Sequence, residues 1–536
     1  MVLLFTTAPA ARARDLEADP SNLEQMLGAL APGDVLHLAA GSYGHFTLSD
    51  LQGSAALPIV ISGPDDRGAV IRADDGPCCN TIQIDGNVSH VVLRSLTIDG
   101  HGVDGAFGVD ARGANVHHVT LESCTFIGHD AQQQTVAIST KTPTAGWVIR
   151  GNRIIGAGTG MYLGNSNGED PFVQGLIEHN LIQDTIGYNA EIKWQLPHAA
   201  PPGALAGPSA TIIRHNVFIK TDRPSDDGDR PNLLVGGFPD DGEGSEDSYQ
   251  IYGNLFVHNP REALLQVSGR VSIHDNIFVD TPVSAIVLQD HDLPLQRAWV
   301  YHNTIFVTGA GVSFGSSARA GSIVMGNAIF AGTPLSGPTG DERDNVVGAP
   351  SEAMAQVTAA STLLDVADFY PVAGALSGGA LDLSALASDA DHDLDFNCRP
   401  KGAATHRGAY AGAGTNPGWH LAADNKPASA CASSGAGVDA GMAGSDGGAS
   451  TGDAGPAGAD AGQPSTGRDA AASAGAAGAD RDARVTTAND GAIRSDAGSS
   501  GADDTGCGCR LAARPAPKTA AVLVLLLAVA LVRRIR

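Results

Sequence analysis

The chain has 536 residues, 68 of them glycine and only 5% aromatic, with a formal net charge of -25. That composition excludes a long-helix protein and favours many short strands joined by tight turns. Nearly all of the charge falls on residues 1–427. A body so acidic excludes nucleic acid as a partner and repels anionic membranes, and it repels polyanionic glycans unless cations intervene.

In chain order, residues 2–5 are a short apolar core, followed by the A-x-A pattern Ala11-Arg12-Ala13. Residues 1–13 therefore read as a truncated signal peptide lacking its basic n-region. Ser21-Asn22-Leu23-Glu24 fits a capping box, and Leu23, Met26, Leu27 and Leu30 follow at helical spacing. Pro32-Gly33-Asp34 should end this helix, and strand-like runs follow at 35–38, 45–48, 58–62 and 69–72. A short amphipathic helix in that place is expected to cover the open end of a strand stack.

The decisive signal is an internal repeat. Val-Leu-Arg-Ser-Leu96, Thr-Leu-Glu-Ser-Cys124, Val-Ile-Arg-Gly-Asn152 and Leu-Ile-Glu-His-Asn180 end 28 residues apart. The series continues through Asn216, Asn254, Asn276, Asn303 and Asn327, at spacings of 22 to 38 residues. A period in the twenties with three short strands per repeat predicts an all-β, right-handed parallel β-helix over 14–340, its coils about 4.8 Å apart. The asparagines Asn152, Asn180, Asn216, Asn254, Asn276, Asn303 and Asn327 are expected to form an inward ladder at a tight turn, each amide bonding neighbouring backbone. Cys124 shares that column and is expected to be a buried thiol.

After Asn327 the repeat fades, so 341–427 is expected to be a region that caps the coil. Its Asp391-His-Asp-Leu-Asp395 run reads as an acidic turn or a calcium loop. Residues 428–504, rich in Ala, Gly, Ser and Asp, have too few large apolar side chains to fold and are expected to be a disordered linker. Among seven cysteines (78, 79, 124, 398, 431, 507, 509) no two pairs share zinc spacing. Cys398 and Cys431 are a candidate disulfide of an exported chain, with the connectivity open. Residues 505–536 hold Cys507-Gly-Cys509, an apolar run at 519–532 and a terminal Arg cluster. The run is expected to be a short hydrophobic helix reaching about 21 Å. This tail resembles the MYXO-CTERM sorting signal of myxobacterial surface proteins. The resemblance implies export and a body held at the cell surface through a C-terminal membrane anchor.

A β-helix carries function on outward side chains of successive coils, walled by long insertions. The longest insertions follow Asn180 and Asn216. Period-two alternation turns Ala190 and Ile192 inward and Glu191 and Lys193 outward. Tyr162, Gln266, Gln289 and His291 are candidates for the same outward face, beside Trp194. A polar column with an aromatic neighbour suits a sugar, and a solvated strand face is the equal alternative. The acidic stretch of the second insertion includes Asp240, Asp241 and Glu243, which read either as a cation site, calcium by chemistry, or as a solvated acidic loop.

Residues 31–43 (Ala-Pro-Gly-Asp-Val-Leu-His-Leu-Ala-Ala-Gly-Ser-Tyr43) and Pro58-Ile-Val-Ile-Ser-Gly63 are similar to the start of polysaccharide lyases of the chondroitinase B and alginate lyase type. The resemblance implies a Lys base that takes the proton beside a uronate carboxylate, an Arg acid, and a calcium ion that offsets the carboxylate charge. Lys193 matches the base. Arg214-His215 resembles the acid motif, with Asn216 in place of its Gly, and His198 is a second candidate acid. Glu191 is the one calcium carboxylate with a counterpart, and the strand that should carry the Arg reads Leu233-Leu-Val-Gly-Gly237. Three functions follow for an expected monomer: a polysaccharide lyase, a non-catalytic glycan- or matrix-binding surface protein, or a structural spacer.

Overall fold

The computed structural model describes residues 13–73, 80–315 and 319–431. The expected signal peptide, nearly all of the linker, the hydrophobic tail, and Cys78, Cys79, Cys507 and Cys509 lie outside the described residues.

Each coil contributes one short strand to each of three faces. In one coil these are Leu176–Glu178 on face A, Leu181–Gln183 on face B and Ala190–Ile192 on face C. Each strand pairs in parallel with its equivalent in the next coil: Ile177 with Ile213, Ile182 with Phe218 and Glu191 with Leu234. Faces B and C merge through the long strands Thr304–Phe314 and Ala328–Ser336. The chain is thus a parallel β-helix. Its interior is filled by residues such as Ile149, Ile177, Ile213, Ile251 and Ile273 from face A, with a stacked Phe218–Phe256–Phe278 column from face B at centroid distances of 4.9 and 4.7 Å.

The asparagine ladder occupies the turn between faces A and B, and all seven members are fully buried. Asn216 shows the wiring. Its Nδ2 donates to the Ile177 carbonyl (2.8 Å) and to Asn254 Oδ1 (3.0 Å), while its Oδ1 accepts from the Asn180 backbone N–H and Nδ2 (3.0 and 2.9 Å). Cys124 starts the column, its N–H donating to Asn152 Oδ1 at 2.9 Å. The residue before each ladder position has positive φ: His179 at 55°, His215 at 56°, Gly253 at 65° and Asp275 at 53°. His, Asp and Gly tolerate that left-handed region best, which explains why they recur immediately before the Asn.

The ladder runs one member beyond the repeats read from sequence. Asn345 accepts from the Asn327 N–H (3.0 Å), and strands Asp341–Arg343 and Val346–Gly348 complete a further coil. The boundary expected at 340 therefore moves to about 348. The expected capping box is also absent. Ser21 Oγ donates to Asp19 instead, and the helix is a single turn, Leu23–Leu27, with Leu23 and Leu27 buried.

Residues 349–431 do not sit simply on the end of the coil. They run back along the stack as a strap over the A–B corner and face B. Gly408 bonds the Gly326 carbonyl, Ala409 N–H bonds Thr304 Oγ1, Lys401 reaches Asp275, Lys426 reaches His215, and Asn425 Nδ2 bonds the carbonyls of Asn152 and His179. Phe369, Phe396 and Tyr410 of the strap form a second core with Leu181, Val217, Leu255 and Ile277. Where the strap lies, face B is apolar on both sides (Val217-Phe218, Leu255-Phe256, Ile277-Phe278), as a doubly buried strand must be. Cys398 and Cys431 form a disulfide within the strap.

Asn216→Ala would orphan several buried polar groups at about 1–3 kcal/mol each. It is expected to lower the unfolding free energy in urea by about 2–4 kcal/mol, and Asn345→Ala, half-buried at the end of the ladder, by clearly less. Equal losses would show that the ladder is not carrying the buried turns.

Candidate functional site

Face C aligns a column of outward residues by strand register: Asp110, Ser139, Tyr162, Glu191, Leu234, Gln266 and Val287. Tyr162, Glu191 and Gln266 thus share one column, as alternation predicts. Gln289 falls one step later, in the row that follows the strands: Lys141, Gly164, Lys193, Gly236, Ser268 and Gln289. Glu191 points away from the coil interior yet is only 2% exposed, because neighbouring side chains cover it.

Lys193 Nζ lies 2.9 Å from Glu191 Oε1, with the two side chains 13% and 3% exposed. The Tyr162 ring is flanked by two ammonium groups, Lys141 Nζ at 4.1 Å and Lys193 Nζ at 5.7 Å from its centroid. Lys141 and Lys193 stand two coils apart in one row, roughly 10 Å by coil spacing. Gly164 between them, at φ 88°, has no side chain to fill the gap, and a Cβ there would touch Lys193 Cβ at 3.3 Å. Burial alone would lower the Lys193 pKa, but Glu191, Tyr162 and Asp292 outweigh it and hold the amine above its ordinary value. Burial, reinforced by Glu191, pushes the Tyr162 phenol up to about 12. Both groups therefore carry their protons at neutral pH.

Two walls flank this patch. On the side where the strand begins, the segment 220–232 folds back over Tyr188. Lys220 Nζ donates to the Gly187 carbonyl (2.6 Å), Ser225 Oγ to the Ile186 carbonyl (2.6 Å), and the Arg230 guanidinium lies 5.7 Å from the Tyr188 centroid. Burial lowers the Lys220 pKa to about 8. On the other side, Trp194 packs on the backbone of Gly168, where a Cβ would come within 2.6 Å of the indole. His198 Nε2 lies 3.2 Å from Gln195 Oε1, and the residue makes an antiparallel bridge with Glu243. Leu196, His198 and Pro201 line an open cavity of about 500 Å³ with Pro143, Glu169 and Pro171. His291 lies 3.0 Å from Asp292. The His291 imidazole beside it, with Lys193 adding to it, holds the Asp292 carboxyl low.

Other sequence candidates stand apart. Arg214 is on face A under the strap, where it bonds Glu178 (2.8 Å), Tyr252 (3.2 Å) and Asp391 (3.4 Å), and those contacts occupy it away from Lys193. Asp240 and Asp241 are exposed and Glu243 is half-buried. Among the described residues, the groups of three or more ligating side chains with atoms within 4.8 Å of one another do not include them, so this loop does not fit a calcium cage. Asp391 and Asp395 are engaged by Tyr252 and by backbone N–H groups of Asn397, Arg399 and Ala411, as an acidic turn would be. Sequence reading missed Lys141, Tyr188, Lys220, Arg230 and Asp292. Of these, Lys141 had a signal: it follows its strand as Lys193 does.

No family model and no curated protein matches this chain. Among solved structures it is similar to a PL6 family polysaccharide lyase from Pseudopedobacter saltans, with 11% identity over 63% of this chain and 93% of that one and a TM-score of 0.36. An alginate lyase from Paenibacillus sp. str. FPU-7 gives 15%, 62%, 99% and 0.32. A mannuronan C-5 epimerase A-module from Azotobacter vinelandii gives 16%, 62%, 93% and 0.33. At these scores the likenesses carry no argument about activity, and the fold rests on this chain's own strand pairing.

Glu191→Gln would leave the Lys193 ammonium without its buried counter-charge, and Lys193→Met would do the converse. Each is expected to cost on the order of 3 kcal/mol in urea denaturation, and the double variant less than either. Additive losses would show the pair to be uncoupled.

Proposed function

We propose that this chain binds an anionic polysaccharide along face C and acts outside the cell. The observation that carries the reading is the pair of ammonium groups, Lys141 and Lys193, set two coils apart against the Tyr162 ring. The acidic body repels polyanions at long range, so binding depends on this local pair of cations, which suits anionic groups spaced along an extended ligand. The 220–232 and 194–202 walls keep the ligand parallel to the stack, and Gln266 and Gln289 extend the polar path across later coils. The Cys398–Cys431 disulfide supports an oxidising compartment. The tail sequence at 505–536 supports attachment to the cell surface.

A second reading, β-elimination on a uronate, is favoured by the closeness of Lys193 and Tyr162, two groups able to exchange protons. In that reading Lys193 must lose its proton to act as base. Its raised pKa then demands a rate that climbs with pH above neutrality.

The purified full-length chain is expected to bind polyuronates and not neutral polysaccharides in titration calorimetry. Lys141→Ala and Lys193→Ala should each weaken binding by about tenfold, or about 1.4 kcal/mol. Preference for neutral glycans would overturn the proposal. Growth of the ultraviolet absorbance of unsaturated uronate, rising with pH and lost in Lys193→Ala, would establish the lyase. Binding without that absorbance would leave a binding protein.

A further inference from the structure

Face A carries a second column of positive-φ residues, separate from the ladder. His90 and His118, both at φ 51°, stand at equivalent bends of adjacent coils, and Gly146, at φ 66°, follows on the next. The flanking register, Ser89 with His117 and Val91 with Val119, places His90 and His118 directly opposite each other. Their rings stack at 4.6 Å between centroids, with 23° between planes. The His117 ring stands edge-on to both, at 5.7 and 5.2 Å. His117 Nδ1 and His118 Nδ1 are 2.9 Å apart, and one nitrogen of each of the three rings lies within 4.8 Å of those of the others.

Two glycines give the rings their space. A Cβ on Gly146 would come within 2.8 Å of His118 Nε2. A Cβ on Gly203, in the long insertion after Lys193, would come within 2.5 Å of His117 Nδ1. The trio is half-buried, and burial disfavours the protonated form of each ring. Neutral imidazole is the form that ligates a metal. The insertion that walls the face C patch therefore continues to a cluster of three histidines on face A, which neither the polysaccharide reading nor the ladder uses.

We propose that His90, His117 and His118 bind a late first-row divalent cation of the zinc class. Three imidazoles with no carboxylate among them suit zinc, nickel or copper and do not suit calcium or magnesium, which require oxygen ligands. Three protein nitrogens leave a fourth position for water. The stacked His90 and His118 rings must tilt toward each other to share one ion, a side-chain rotation within backbone bends that are already set. The bound ion would tie two adjacent coils together, with Gly203 of the insertion beside it.

The test uses the untagged full-length chain, stripped with chelator and kept non-reducing so that Cys398 and Cys431 stay paired. Calorimetric titration with Zn²⁺ is expected to show one equivalent bound, together with a rise in melting temperature. His90→Gln and His118→Gln should each weaken binding by more than about a hundredfold, since even outer-shell partners are worth about 10–100-fold. X-ray absorption on the zinc-loaded wild type should show a nitrogen shell with three imidazoles, a readout that does not depend on how the variants fold. Absence of stoichiometric binding, unchanged affinity in both variants, or a shell of sulfur or carboxylate oxygen would overturn the proposal.

Discussion

The constraint on which the rest of this structure depends is the satisfaction of buried backbone at one turn of every coil. Between faces A and B the chain turns a corner inside the protein, where an unpaired N–H or C=O would cost free energy. The asparagine carboxamide has two donors and an acceptor, and it can serve its own coil and both neighbours at once. Its bonds run along the stack, so each Asn fixes where the next coil turns. Cys124 receives the ladder at its start and Asn345 carries it to the last coil.

Because the turn position is fixed, so is the register of every face. This is what sets Tyr162 beside Glu191 and brings Lys141 and Lys193 into one row. Small slips would turn Glu191 into the core and Ile192 to the surface. The same register aligns residues beside the ladder into a second column outside the coil, Arg214, Tyr252, His274 and Tyr301, with the last three rings stacked and His215 edge-on to Tyr252. These side chains are too large and too polar to stand alone, and the strap covers them. Asp391 and Asp389 accept from the tyrosine hydroxyls, and Lys401 answers Asp275. Burial raises the Asp275 pKa to about 7 against the pull of that lysine. Arg214 belongs to this structural network.

The face C patch is built differently. Its charges are concentrated by walls that come from other coils: Arg230 from one insertion, Asp292 from a later turn. Glu191 holds Lys193 charged, and Lys193 in turn lowers the electrostatic cost of burying Glu191. A patch assembled this way holds the Lys193 ammonium beside a counter-charge, Glu191, that lies inside the protein.

What could be read from the sequence followed from short-range periodicity. The recurring Asn, the three strands per repeat and the inward direction of Ala190 and Ile192 all follow from alternation and turn chemistry within about 30 residues. The reach of the strap was also legible in retrospect. Outward residues of face B change from Thr97, Thr125 and Arg153 to Leu181, Val217, Leu255 and Ile277, and apolar side chains on both sides of a strand require a cover. Asn345 escaped notice because only 18 residues separate it from Asn327. Only the tertiary structure decided the rest. Arg214 and Lys193 are 21 positions apart in the chain, yet the fold directs them to different faces. The strap folds back along the coils because their corner was apolar and polar in the pattern it could match. Lys141, Asp292 and the histidine trio gain neighbours only through the coil offsets, and those depend on insertion lengths that no local pattern encodes.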